Sequence, residues 1–139
     1  MKCSSEDRSG HLYANKPWLS LYSEGYPSEI RAEFSDALAI FRSAVKRHPF
    51  GHAIRYFDRL LTYRQLDTLS DSAAAWFLQK GVRKGDRVAV VLQNVPQFVI
   101  ATIAAWKVSA IAVPINPMNR PRELELLLRD CMPKIVICQ

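Results

Sequence analysis

Gly81-Val82-Arg83-Lys84-Gly85-Asp86-Arg87 runs directly into the apolar stretch Val88-Ala89-Val90-Val91-Leu92, and the reading of this junction decides the fold. Two glycines and three cations in seven residues have the composition of a phosphate cradle. A phosphate-binding loop, however, leaves a strand and ends at a helix N-terminus, where free amides and the helix dipole face the anion. GVRKGDR runs in the opposite sense, from a helix end into a strand. Aligned carbonyls there favour Lys80, Arg83 and Lys84 and repel an anion. The spacing also matches neither GxxxxGK[ST] nor GxGxxG. The stretch therefore reads as a helix stop followed by a turn.

Downstream, VAVVL (88–92), AIAVPI (110–115) and KIVIC (134–138) are uninterrupted apolar runs. Helical stretches at about 95–107 and 121–131 separate them. Short apolar runs alternating with helices predict parallel strands covered on both faces, joined by right-handed crossovers. Pro121 suits the first turn of the second helix, with Glu123 and Glu125 near its positive end and Leu124, Leu127, Leu128 and Cys131 facing inward.

Upstream, Thr62 followed three residues later by Gln65 is a capping box, and Leu61 and Leu66 can form a hydrophobic staple. The helix that starts there is expected to bury Leu66, Leu69, Ala73, Trp76 and Phe77, with Asp67, Ser70 and Asp71 elsewhere, and to stop at Gly81. Before it, Ala53–Phe57 and Leu60–Tyr63 read as a hairpin turning at Asp58-Arg59. Ser35 is the expected cap of a helix carrying Leu38, Phe41 and Val45, stopped by His48-Pro49. Pro17 to Ile30 reads as an extended segment packed through Trp18, Tyr22 and Tyr26. Residues 1–16 read as a mobile tail, leaving 17–139 as the structured region.

With 139 residues, 49% hydrophobic and 23% charged, the chain fits one soluble globular core. The uncharged stretch Val88–Trp106 is broken by Gln93, Asn94, Pro96 and Gln97, so no transmembrane segment is expected. MKCSSEDRSG has no apolar signal core, which points to a cytoplasmic location. Cys3, Cys131 and Cys138 lack paired spacing and read as reduced thiols, the last two buried. The net charge of +6 arises from cations scattered singly along the chain, so nucleic acid is not an expected partner. His11, His48 and His52 have no partner at metal-ligand spacing, no GxSxG is present, and Asp67 with Asp71 reads as a solvated helix face. By the general rule for parallel sheets, any ligand would gather at the strand carboxyl ends, on the loops Gln93–Pro96 and Asn116–Arg120.

Taken together, PWLSLYSEGYPSEI, LTYRQLDTLSDSAAAWFLQKGVRKGDRVAVVLQNVPQF and VPINPMNRPRELELLLRD resemble, in order and spacing, the opening part of the adenylate-forming (AMP-binding) ligases, above all the bacterial long-chain fatty-acid CoA ligases. LTYxxL, KGDRVAV, Asn-x-Pro-x-Phe and NPxxxPxELxxLL are jointly specific. The resemblance implies an α/β fold, the N-terminal part of the ligase large domain and hence incomplete. It also implies a reaction in which a carboxylic acid and ATP form an acyl-adenylate and pyrophosphate, and coenzyme A then displaces AMP. ATP, magnesium and coenzyme A are the cofactors of a full-length member. None is expected for this chain alone, because the phosphate loop, the Tyr-Gly-x-Thr-Glu motif and the catalytic lysine are absent from it.

Asn116, Pro117 and Met118 are the site candidates that the resemblance supplies, by proximity to the coenzyme A channel of related ligases; no catalytic or metal residue is assigned. The family usually has Pro where Gln93 stands, glycine at Ser109 and often glycine near Met132 and Pro133, so strain is expected at the turn after Ser109. The partner of a full-length enzyme is a fatty acid or other carboxylic acid, and peripheral membrane contact is left open. A sheet with an uncovered edge and face implies self-association. The alternative function is a free-standing binding or interaction module that reuses the ligase half-fold.

Overall fold

The computed structural model describes residues 14–139. Most of the expected tail, with Cys3 and His11, lies outside them. Two compact units are present, divided between Glu33 and Phe34.

In the first unit, Pro17–Leu21 is a 3-10 helix rather than extended chain. Proline at its first turn presets φ, and the Ser20 hydroxyl donates to the Pro17 carbonyl at 2.8 Å. Lys16 and Glu29 pair at 2.8 Å. Tyr22 and Tyr26 are exposed, so the expected anchoring through their burial is not found.

The second unit opens with α1, Ala37–Arg47. Its cap is Asp36 and not the expected Ser35: Asp36 Oδ1 accepts from the Ala39 amide at 2.7 Å, while the Ser35 hydroxyl donates to Asp36 Oδ2. Aspartate caps as well as serine, and the neighbouring hydroxyl orients it. Strands β1, His52–Tyr56, and β2, Arg59–Thr62, form the antiparallel hairpin. Tyr56 pairs with Arg59, so the turn is Phe57-Asp58, one residue earlier than expected. Phe57 takes the left-handed region at φ 49, a conformation that costs a bulky residue about 1–2 kcal/mol.

Helix α2, Tyr63–Gln79, begins with the expected capping box: the Thr62 hydroxyl accepts from the Gln65 amide and Gln65 Oε1 accepts from the Thr62 amide. Its buried stripe is Leu66, Ser70, Ala74 and Phe77. Leu69 and Trp76, expected inside, lie one position off this stripe and are exposed. Ser70, expected outside, is wholly buried, and its hydroxyl is satisfied by the Asp67 carbonyl at 2.9 Å.

Strand β3, Arg87–Val91, helix α3, Pro96–Lys107, strand β4, Ile111–Pro114, helix α4, Pro121–Cys131, and strand β5, Ile135–Cys138, follow in order. The three strands form a parallel sheet in the order β4-β3-β5, with Val88 level with Ala112 and Ile135. Val88 and Val90 pack against Ala74 and Phe77 of α2 and Ala101, Ala104 and Ala105 of α3. On the opposite face Ala89 and Val91 meet Ile115, with Leu124 and Leu128 of α4 beside them. Only β3 is buried on both sides. Its neighbours expose Ile111 and Val136, and α4 exposes Leu127, because one helix cannot cover three strands. Cys131 is half-buried and Cys138 exposed, against the expectation that both are buried. Ser109 and Met132, which lead into β4 and β5, have φ values of 56 and 40, so the expected strain after Ser109 sits in a left-handed non-glycine residue.

Candidate functional site

In the turn 81–87 the amides of Gly81, Val82, Arg83, Gly85 and Asp86 are spent internally. Gly81, at φ 81, follows α2; its N–H donates to Leu78 and that of Val82 donates to Phe77, which together form a Schellman stop. The Arg83 amide donates to Asp86 Oδ2 at 2.7 Å, the Asp86 amide to the Arg83 carbonyl at 3.0 Å, and the Gly85 amide to the Ser109 carbonyl at 2.9 Å. Two of the three cations sit on carbonyls. Arg83 Nη1 donates to the Val82 carbonyl at 3.2 Å, while Arg87 Nε donates to Cys131 O and Nη2 to Met132 O, closing the end of α4. These residues do not fit a nucleotide triphosphate, since the turn leaves a helix C-terminus and the amides of Gly81, Val82, Arg83, Gly85 and Asp86, with both arginines, are bonded within the fold.

At the other end of the sheet the two expected ligand loops come together. Leu92, Gln93 and Asn94 after β3, and Pro114 at the end of β4 with Ile115 to Pro117 after it, line a cleft of about 350 Å³. Asn116 Oδ1 accepts from the Met118 amide at 2.9 Å, and the Asn116 carbonyl accepts from the Asn119 amide at 3.1 Å. The carboxamide oxygen is thus committed to an Asx turn, and its NH₂ is the group left for a ligand. Pro117 lines the cleft, whereas Met118 is exposed and does not. Arg120 and Glu123 then start α4, with Glu123 Oε2 accepting from the Arg120 amide at 2.8 Å.

Two further hollows adjoin the same end. One, of about 380 Å³, lies among Leu92, Val95, Ile137 and Cys138; the other, of about 590 Å³, lies between the hairpin and Pro96 at the start of α3. Tyr56 and Gln97 line both. Neither was among the candidate residues. The usable signal for Tyr56 is the strand alternation that puts it on the face of Ile54.

The Asp67–Asp71 pair meets water, as expected, Asp71 more than Asp67, but it also holds a cation that the sequence reading missed. Lys107 Nζ lies 2.6 Å from Asp67 Oδ1, 2.6 Å from Asp71 Oδ1 and 3.0 Å from the Asp67 carbonyl, with the Phe41 ring centroid at 5.8 Å. The Lys107 side chain is 8% exposed, so it fastens α3 to α2 and abuts α1. With two carboxylates at contact distance, Lys107 is an ion-paired tie between helices. Among the described residues no group of three or more His, Cys, Asp or Glu could hold a metal ion, and no helix is long and apolar enough to cross a membrane.

The sequence model of the AMP-binding enzyme family matches residues 41–139. The long-chain-fatty-acid–CoA ligase of Bacillus subtilis is 33% identical over 126 residues, 91% of this chain and 22% of the relative. That of Yersinia pestis is 35% identical over 117 residues, 83% of this chain and 21% of the relative. The chain thus spans about a fifth of the length of these curated relatives. Among solved structures, VinN with 3-methylaspartate superposes with a TM-score of 0.71 at 29% identity, covering 73% of this chain and 28% of VinN. The anthranilate CoA ligase AuaEII with anthranoyl-AMP superposes with a TM-score of 0.71 at 26% identity, covering 76% and 20% of the two chains. With the parallel sheet, the reversed sense of the glycine turn and these matches in agreement, the chain belongs to the AMP-binding enzyme family and carries part of its adenylate-forming fold.

Proposed function

We propose that the chain is the N-terminal portion of an ATP-dependent acyl-CoA synthetase, with a cytoplasmic home. The whole enzyme would join a fatty acid to ATP as an acyl-adenylate, releasing pyrophosphate, and then pass the acyl group to the thiol of coenzyme A with loss of AMP. The share of this chain is a scaffold: β3 and β4 carry loops to one end of a parallel sheet, and Asn116 to Met118 flank the path of coenzyme A. The observation that carries the reading is the 350 Å³ cleft that joins the loops after β3 and β4 at the strand carboxyl ends, where parallel sheets gather ligands. The long-chain-fatty-acid–CoA ligases matched over most of the chain support the substrate class.

The chain alone does not adenylate. Stabilising a transferring phosphoryl group takes donors aimed at it, and most amides of the basic turn are already bonded within the fold. The test is pyrophosphate release by the purified chain with ATP, magnesium and palmitate. The expected rate equals that of the blank, and turnover above it refutes the scaffold role. Coenzyme A titrated onto isotopically labelled chain should move the side-chain amide signals of Asn116. Signals that stay fixed at saturating ligand remove residues 116–118 from the site.

A further inference from the structure

We propose that β5 is the interface between two copies of this chain, paired edge to edge and antiparallel across a two-fold axis at Val136. Both outer strands of the sheet have a free edge, but the two edges are not equivalent. The amides of Ile111 and Ile115 donate to the Asp86 and Val90 carbonyls, so the alternation of the ladder turns the backbone of Ala112 and Pro114 outward. Pro114 has no N–H to offer there, and proline on that side blunts an edge. The Val113 side chain of β4 is also covered, since it packs with Leu124 and Leu128 of α4.

Strand β5 lacks such protection. The alternation that gives Val90 to β4 leaves Ala89 for β5; Ala89 is level with Val136 and bonds to its neighbours Ile135 and Ile137, so Val136 turns its own N–H and C=O to the free edge. No proline or charge lies within Ile135–Cys138. Ile135 and Ile137 pack into the cluster around Phe77, whereas Val136, on the other face, is 42% exposed. Against the same cluster packs Ala73, which shares one flank of α2 with Leu69 and Trp76, away from Asp67 and Asp71, and both of those large side chains are exposed. A bare apolar edge beside exposed Leu and Trp is a template for another strand.

The strand's own sequence selects its partner. Ile135-Val136-Ile137 reads the same in both directions, so a two-fold axis at Val136 sets Ile135 across from Ile137 of the partner subunit on one face and Val136 across from Val136 of the partner subunit on the other. Both outward backbone groups of Val136 are then satisfied by their counterparts. The same axis puts Lys134 opposite Cys138 of the partner subunit, so no like charges face each other.

The proposal stands apart from the ligase reading, because oligomeric state is measured without substrate. Light scattering after size exclusion should give a dimer of the full chain. Val136→Lys and Val136→Glu should each weaken dimerisation by about tenfold, with unchanged far-ultraviolet circular dichroism, because like charges then meet at the axis. Mixing the two variants should restore the dimer, which misfolding would not allow. With serine in place of all three cysteines, Val136→Cys should close a disulfide between copies, since the Cα atoms of such a pair lie about 5.5 Å apart, and Ile111→Cys on β4 should not. A monomeric parent chain, a mixture of the two charged variants that stays monomeric, or a disulfide at position 111 as efficient as that at 136 overturns the proposal.

Discussion

The two faces of the sheet are built to different degrees of completeness. On one, Val88 and Val90 are sealed by α2 and α3, with Phe77 2% exposed and Ala104 and Ala105 fully buried. Lys107 fastens those helices through Asp67 and Asp71. On the other, α4 alone covers Ala89 and Val91, leaving Leu126, Leu127 and Val136 exposed. Burial of apolar area is the main favourable term in folding, so the first face holds itself together with residues of this chain and the second lacks part of its cover.

Truncating one anchor on each face tests this most strongly. Phe77→Ala should lower unfolding stability by about 3–5 kcal/mol, since the ring is enclosed and its site cannot collapse. Leu128→Ala, on the half-buried face of α4, should cost about 1–2 kcal/mol, because much of that side chain already meets water. Urea midpoints for the two variants measure the difference, and equal losses would break the distinction between the faces.

The connections into the sheet sharpen the comparison at smaller scale. Gly85 sits at φ 83 with nothing within 4 Å of an added Cβ, so Gly85→Ala meets only the backbone penalty and should cost about 1 kcal/mol. Ser109 occupies φ 56 without being glycine, and Ser109→Gly should stabilise by about 0.5–1 kcal/mol. The Gly85 amide donates to the Ser109 carbonyl, so the two sites share a turn contact and the double variant should depart from additivity. Thermal melts of the three variants read both the opposite signs and the coupling.

The first face was also the more legible in sequence. The capping box at Thr62 and Gln65, the stop at Gly81 and the apolar run of β3 are local signals, and each reappears where expected. The misreadings come from tertiary choices. Ser70 is inside because a backbone carbonyl satisfies its hydroxyl, and Trp76 is outside because the buried stripe passes through Ala74 and Phe77. Asp67 and Asp71 find their cation on another helix, forty and thirty-six residues away in the chain, beyond the reach of helical periodicity. At the candidate site, strand order places Asn116 and Pro117 at the cleft, while Met118 lies outside it after the Asx turn, a choice made by one side-chain amide. Tyr56 and Gln97 line neighbouring hollows only because the hairpin lies against the start of α3.

The smallest expected effect lies at the start of α1, which packs with α2 and α3 on the first face. The Ala39 amide, and next the Ser35 hydroxyl, hold the Asp36 carboxyl below its ordinary value of 3.8. A folded-state value beneath the unfolded one means that this cap stabilises above about pH 4 and that its contribution fades as pH falls through the lower, folded value. Asp36→Asn keeps an oxygen for the Ala39 amide but carries no titrating charge, so its stability should change less between neutral and acid pH than that of the parent. Amide exchange at Ala39 and Ile40, followed from neutral pH down to about pH 3, isolates this cap from the carboxylates elsewhere in the chain. Identical acid profiles in parent and variant would show that the helix end on the first face is held by packing alone, and the contrast between the faces would then rest wholly on apolar burial.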